Sequence, residues 1–301
     1  MLQDNRRLIF VLGMGRSGTS AITRVLSFCG GSLPKRLLGA NEGNPTGHWE
    51  PLDALKLNET FLRRQGSNWY DPRLPGLTHG NVDSPDGQAF VSQIATFLQD
   101  YVNEPLLLIK EPRITALTEF WFSAARRVGF RIAAVIAVRH PAEVAASLAT
   151  RDGVPIELSD TLWLKYNLLA EQCTRELPRI FVEYPNLLAD WKREISRISR
   201  ALAIDLTSTR DQEIAAFLSP DLRRQRASTS AEDLRAGTPI VRVYRALSMA
   251  ARDATISRTE IHSLVSAHMR SIEAETAVEQ FRKRFLPATF QAAAATADPG
   301  R

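Results

Sequence analysis

The stretch RLIFVLGMGRSGTSAITRVL, Arg7 to Leu26, decides the fold. Its opening, Leu8 to Leu12, is a short aliphatic run of the kind buried in a parallel sheet, and from Thr19 to Phe28 the apolar spacing is helical. Between them lies GMGRSGTS, where Gly13 and Gly18 keep a G-x-x-x-x-G spacing. A strand, a glycine-rich turn and a helix opened by Thr19 and Ser20 point backbone N–H groups and the positive end of the helix dipole at an anion. Arg16 adds a full charge, and Ser17, Thr19 and Ser20 add hydroxyl donors. A nucleoside triphosphatase would follow the second glycine with Lys and then Ser or Thr; this chain has Thr19 and Ser20. Without that lysine the loop lacks the cation that reaches a β,γ-bridge, and a nucleotide without a triphosphate suits it better. The plainer alternative is a strand-turn-helix junction whose glycines merely permit a tight turn.

Working outward, three more short aliphatic runs read as buried parallel strands: Leu106 to Ile109, Ile132 to Val138 and Ile180 to Glu183. Helical patterns separate them over 19–28, 51–64, 87–101, 117–128, 141–149, 158–176 and 187–202. Such alternation predicts right-handed crossovers and an α/β fold of three layers, with a parallel sheet of about four or five strands flanked by helices. Gly30 to Glu50 and Trp69 to Asp86 carry no periodicity and are predicted as long loops. Beyond Ser208 the pattern is helical, through 240–251, 260–268 and 272–285, which predicts a C-terminal extension packed on the sheet. The expected organisation is a core over 1–226, the extension over 227–290 within the same domain, and a flexible tail over 291–301.

Composition narrows the function classes. The 301 residues are 44% hydrophobic and 24% charged, ordinary for a globular protein with a sizeable core. A net charge of +5 is spread along the chain without a long basic run, which favours anionic ligands and gives no nucleic-acid signature. Cys29 and Cys173 stand far apart without C-x-x-C spacing, so neither a zinc site nor a disulfide framework is expected. No apolar run reaches the ~18 residues of a membrane span, and no signal peptide is evident. The expectation is a soluble, cytoplasmic protein in a reducing compartment.

A second anion site is predicted at RHPAEVAAS, Arg139 to Ser147. Arg139 and His140 end a strand at the carboxyl edge where open α/β sheets bind ligands, and Pro141 suits the first turn of the next helix. Alone, Ser147 among alanines is a packing residue more often than a ligand. Beside Arg139 it becomes a candidate.

The two segments together, G-x-G-R-S-G-T-S and R-H-P-x-E-V-A-x-S, resemble those of the sulfotransferases that use 3'-phosphoadenosine 5'-phosphosulfate (PAPS), especially the bacterial group. NPTGHWE (44–50), IKEPR (109–113), WLKYN (163–167) and SPDLRRQR (219–226) are similar to further segments of that family. The likeness spans roughly residues 7 to 226. It departs at His48, where an aromatic is usual, at Glu111, where Asp is usual, and at Pro185 and Asn186, where a Tyr-Glu-Asp run is usual.

The resemblance implies that Gly15, Arg16, Ser17, Gly18, Thr19 and Ser20 hold the 5'-phosphosulfate, that Arg139 and Ser147 hold the 3'-phosphate, and that Arg224 ends the cofactor site. It further implies PAPS as co-substrate, adenosine 3',5'-bisphosphate (PAP) as product, and no metal. Sulfuryl carries less charge than a γ-phosphoryl group, so in-line transfer is assisted by Arg, Lys and backbone donors alone. Lys110 and Arg16 would stabilise charge on the leaving oxygen. The acceptor hydroxyl needs a general base, for which Glu50 leads, followed by His48 and Glu111. Glu50 is equally able simply to cap the helix beginning near Pro51. Arg113 is a candidate for the cofactor or an acidic acceptor, and His140 for either or neither. Trp49, Trp69 and Tyr70 are candidates to stack on a sugar, or core aromatics. The acceptor is expected to be a carbohydrate, a glycolipid or a small metabolite. The competing readings are an ATP- and Mg-dependent kinase and a non-catalytic nucleotide- or glycan-binding module.

Overall fold

The computed structural model describes residues 6–73, 81–208, 210–218 and 238–255, together with residues 279, 281, 284 and 285. Four parallel strands, β1 (Arg7–Gly13), β2 (Leu106–Ile109), β3 (Arg131–Val138) and β4 (Arg179–Glu183), form one sheet in the order β2-β1-β3-β4. In register, Ile9 pairs with Leu108 on one side and Ala133 on the other, and Ala137 of β3 pairs with Val182 of β4.

Each strand is apolar on both faces because both faces are covered, as expected of a parallel sheet. The alternation of side chains divides the core in two. Leu8, Phe10, Leu12, Ile109, Ile136 and Val138 point into one layer, and Ile9, Val11, Leu108, Val135 and Val182 point into the other. The second layer is closed by α1 (Thr19–Phe28), α7 (Tyr184–Ala189), α8 (Trp191–Leu202) and α9 (Asp211–Phe217). The first is closed by α2 (Leu52–Arg64), α3 (Pro85–Gln99), α4 (Thr118–Val128), α5 (Pro141–Asp152), α6 (Ile156–Cys173) and α10 (Pro239–Ala250). Val243 and Leu247 place α10 in the larger core, against α6 and β4.

The strands match expectation within a residue at each end, and two helical expectations need correction. The single helix expected over 187–202 is two, because Asp190 interrupts it and caps α8 by accepting the Arg193 N–H at 3.0 Å. Helix α3 starts inside the loop expected through Asp86, with Ser84 capping the Gly87 N–H and Pro85 at the first position. A short 3-10 turn, Pro112–Ala116, also precedes α4. The segment 219–226 with Arg224, the tail over 291–301 and most of the helical expectations beyond 255 lie outside the described residues.

From β1 the chain turns toward β2 on one side, and from β3 toward β4 on the other. The crevice outside the carboxyl ends of β1 and β3 is therefore the switch point at which open α/β sheets bind ligands. Both predicted anion sites sit there.

Candidate active site

Gly13 ends β1 where a Cβ would lie 2.7 Å from the Ala137 carbonyl oxygen, so only glycine lets the chain leave the sheet beside β3. The turn closes with Arg16 at φ 68° and Gly18 at φ 88°. A Cβ on Gly18 would enter the Tyr184 ring. Helix α1 then begins with no side chain capping it. Its first-turn N–H groups have no acceptor within the helix and stand ready for an anion. Ser17 is fully buried beneath the turn, and its Oγ has no hydrogen-bond partner. An uncapped helix start above an orphaned hydroxyl fits a phosphate-bearing ligand.

Arg16 spans the crevice. Its Nε donates to Ser147 Oγ at 2.9 Å and its Nη2 to the Gly43 carbonyl at 2.8 Å. Arg139 donates from Nη1 to the Arg16 carbonyl at 2.9 Å and from Nε to Glu143 at 2.8 Å, while the Tyr184 ring lies 5.1 Å from its guanidinium. The two predicted anion sites are thus joined directly through Arg16, Arg139 and Ser147.

On the other flank, Lys110 directly follows β2 and donates from Nζ to Glu50 Oε1 at 2.5 Å and to Ser20 Oγ and the His48 carbonyl at 3.2 Å each. His48 Nδ1 lies 3.9 Å from Glu50, and its buried Nε2 has no partner. Burial pushes the Glu50 carboxyl up, but the Lys110 charge and hydrogen bond outweigh it and hold the group below its usual range. Burial lowers His48, helped by Lys110, Arg151 and Arg16, so its imidazole is neutral near pH 7.

These groups face one cavity of about 990 Å³, lined by Gly15, Arg16, Gly18, Thr19, Ser20, His48, Glu50, Lys110, Arg139 and Ser147. Four of its cations have carboxylate partners: Lys110 with Glu50, Arg139 with Glu143, Arg151 with Asp152, and Arg113 with both Glu59 and Glu111. Arg16 donates instead to two neutral oxygens. Burial, then repulsion from Arg151 and Arg139, brings its guanidinium down to about 10. A bound anion would relieve that repulsion.

No family model matches this chain, and no curated protein matches it. Solved sulfotransferase domains do resemble it. The sulfotransferase domain of the Synechococcus PCC 7002 olefin synthase aligns over 89% of this chain and 96% of its own, at 19% identity and a TM-score of 0.45. The sulfotransferase domain of the curacin biosynthetic pathway covers 88% of this chain and 98% of its own, at 17% identity and a TM-score of 0.42. A Mycobacterium tuberculosis sulfotransferase aligns over 73% and 72%, at 16% identity and a TM-score of 0.36.

The other predicted residues divide between the cavity wall and the surrounding core. Glu111 is fully buried, accepting from Asn58 at 2.6 Å and from Arg113, and does not line the cavity. Arg113 reaches the cavity wall with both its acidic partners attached. The His140 ring meets Tyr244 edge-on at 4.9 Å. Trp69 and Tyr70 line the cavity, though Trp69 is also packed into the core.

Trp49 does not line the cavity, and its ring lies 4.3 Å from the Arg24 guanidinium. Its φ of 59° costs a non-glycine residue roughly 1–2 kcal/mol. A cation–π contact of about 0.5–2 kcal/mol is of the size needed to offset that.

Sequence reasoning passed over Arg151, Asp152 and Tyr184, all of which line the cavity. A signal existed for two of them. Arg151 lies four residues beyond Ser147 on the same helix and hence on the same face, and Tyr184 directly follows the carboxyl end of β4.

Proposed function

We propose that the chain transfers the sulfuryl group of PAPS to a hydroxyl-bearing acceptor without a metal. The observation that carries this reading is the opening of the uncapped α1 N-terminus, Arg16 and the Arg139–Ser147 pair into one cavity. A nucleotide with phosphate at both ends of its ribose asks for two adjoining anion sites, whereas a kinase donor asks for one. The quoted motifs point the same way.

In this reading the first-turn amides with Ser17, Thr19 and Ser20 hold the 5'-phosphosulfate, and Arg139 and Ser147 hold the 3'-phosphate. The acceptor oxygen bonds to sulfur as the bond from sulfur to the phosphate oxygen breaks. Lys110 and Arg16 stabilise the charge left on that phosphate. The acceptor proton passes to Glu50, which is ionised at neutral pH, or to His48, whose imidazole is neutral there. The acceptor is a carbohydrate, a glycolipid or a small metabolite. The free cysteines Cys29 and Cys173 suit a reducing, cytoplasmic setting. Among the described residues no helix is long and apolar enough to cross a membrane.

Calorimetric titration with adenosine 3',5'-bisphosphate, and separately with ATP and Mg²⁺, tests the reading. Wild type is expected to prefer the bisphosphate, and Arg139→Ala to weaken it by ~10-fold or more. Tight ATP binding that is indifferent to a 3'-phosphate would overturn it.

A further inference from the structure

The residues facing Lys110 are carried by a three-residue turn, Gly47 to Trp49, that has φ of 93° at one end and 59° at the other. Trp49 is the costlier of the two, since it has a side chain where the left-handed region favours glycine. The consequence of its φ is local. It sets the plane of the His48–Trp49 peptide, whose carbonyl accepts from both Lys110 Nζ and Ser20 Oγ at 3.2 Å. The same turn hands the His48 carbonyl and the Glu50 carboxylate to the single ammonium of Lys110, and leaves the His48 ring beside Glu50, with Nδ1 at 3.9 Å.

Something must hold the turn in that shape. The Trp49 ring passes close to Gly47, where an added Cβ would come within 3.3 Å of its Cε2, and the Arg24 guanidinium covers it at 4.3 Å from the centroid. Arg24 is itself fixed. It projects from the second turn of α1, stacks 4.0 Å from the Phe28 ring and donates to Ser27 Oγ at 3.4 Å. Arg210 covers Phe28 as well, at 4.6 Å. The helix whose N-terminus opens into the cavity therefore carries, one turn further along, the clamp on the loop that completes it.

We infer that Arg24 is a positioning residue: by covering the Trp49 ring it holds the left-handed turn that sets the His48 carbonyl and the Glu50 carboxylate on Lys110 and the His48 ring beside Glu50. Arg24 does not line the cavity and acts through Trp49. The inference rests on the sulfuryl-transfer reading only for its kinetic arm.

The test compares full-length wild type with Arg24→Ala, Arg24→Gln and Arg24→Lys. The first readout is the NMR titration of His48, which faces Glu50, Lys110, Arg151 and Arg16. Loss of the clamp exposes the ring, so Arg24→Ala and Arg24→Gln should move His48 up toward its ordinary value, while Arg24→Lys, which keeps a cation over the ring, stays near wild type. The second readout is kinetic. With any accepted hydroxyl, or with water as acceptor, kcat should fall by ~10-fold or more in Arg24→Ala, with KM for PAPS unchanged and Arg24→Lys restoring most of the rate.

Calorimetric affinity for adenosine 3',5'-bisphosphate is expected to be the same in all four proteins, because Arg16, Arg139 and Ser147 are untouched. A His48 titration in Arg24→Ala that superimposes on wild type would overturn the inference whatever the kinetics. If Arg24→Ala does not fold, Arg24→Gln, which retains most of the stem, decides on the same criterion. Failure of wild type to bind the bisphosphate would sink the sulfuryl-transfer reading and leave the clamp to be judged by His48 alone.

Discussion

Lys110 Nζ and Glu50 Oε1 stand 2.5 Å apart, with both side chains almost wholly out of solvent. Removing one member of such a pair strands the other. Lys110→Met is expected to destabilise the fold by about 3 kcal/mol, and Lys110→Met with Glu50→Gln by clearly less. Glu50 titrates lower folded than free, so its contribution is complete above the ordinary carboxyl range and fades as pH falls through the folded value. Urea unfolding of the three proteins at pH 7, and of wild type against Glu50→Gln down to pH 3, checks both statements.

Gly18 meets the Tyr184 ring at a φ of 88°, so Gly18→Ala suffers twice, from backbone conformation and from collision. A loss of at least ~1–2 kcal/mol is expected from the backbone alone. Adding Tyr184→Ala should recover the collision and not the backbone share. Thermal melting separates the two, and bisphosphate titration should show weakened affinity in both variants.

Asp160, on α6, is raised from 3.8 to about 6 by burial, with Glu157 adding to it. Between those values the native state binds more protons than the unfolded chain, so stability drops as pH climbs through this window. Asp160→Asn is therefore expected to exceed wild type by on the order of 2 kcal/mol at pH 7 and to match it below about pH 4. Equal stability at pH 7 would contradict this.

Lys165 is fully buried, donates to the Asp71 carbonyl at 2.7 Å, and is lowered from 10.5 to about 8 by that burial. Here the unfolded chain binds the extra proton. Stability from this group rises as pH goes from about 8 toward 10.5. Urea midpoints at pH 7.5 and 9.5 should differ less in Lys165→Met than in wild type.

The strands were legible because each is an unbroken aliphatic run buried on two faces, a pattern that polar turns delimit sharply. The break at Asp190 was not. Leu187, Trp191, Ile195, Ile198 and Leu202 keep a helical rhythm straight through it, and a capping aspartate looks like any polar residue within that rhythm. The phosphate-binding turn could be read from its glycines, whose need is local. The partnerships across the crevice could not, because Arg16 meets Ser147 across 131 positions and Lys110 meets Glu50 across 60. Only the sheet order brings those pairs together. Equally hidden was the difference in surroundings between Glu50, which faces the cavity, and Glu111, which is sealed by Asn58 and Arg113.

The placement of β1 between β2 and β3 also sets a timetable for synthesis. Its aliphatic residues leave the ribosome before those of the other three strands, yet one hydrogen-bonding partner, β2, begins only at Leu106 and the other, β3, at Arg131. At ~5–20 residues per second, the strand spends roughly 5–20 s as an unpaired edge on a nascent chain. The glycine-rich turn that opens into the cavity is tied to the end of that strand. The glycine-rich turn is therefore synthesised well before Lys110, Arg139 and Ser147, which face the same cavity.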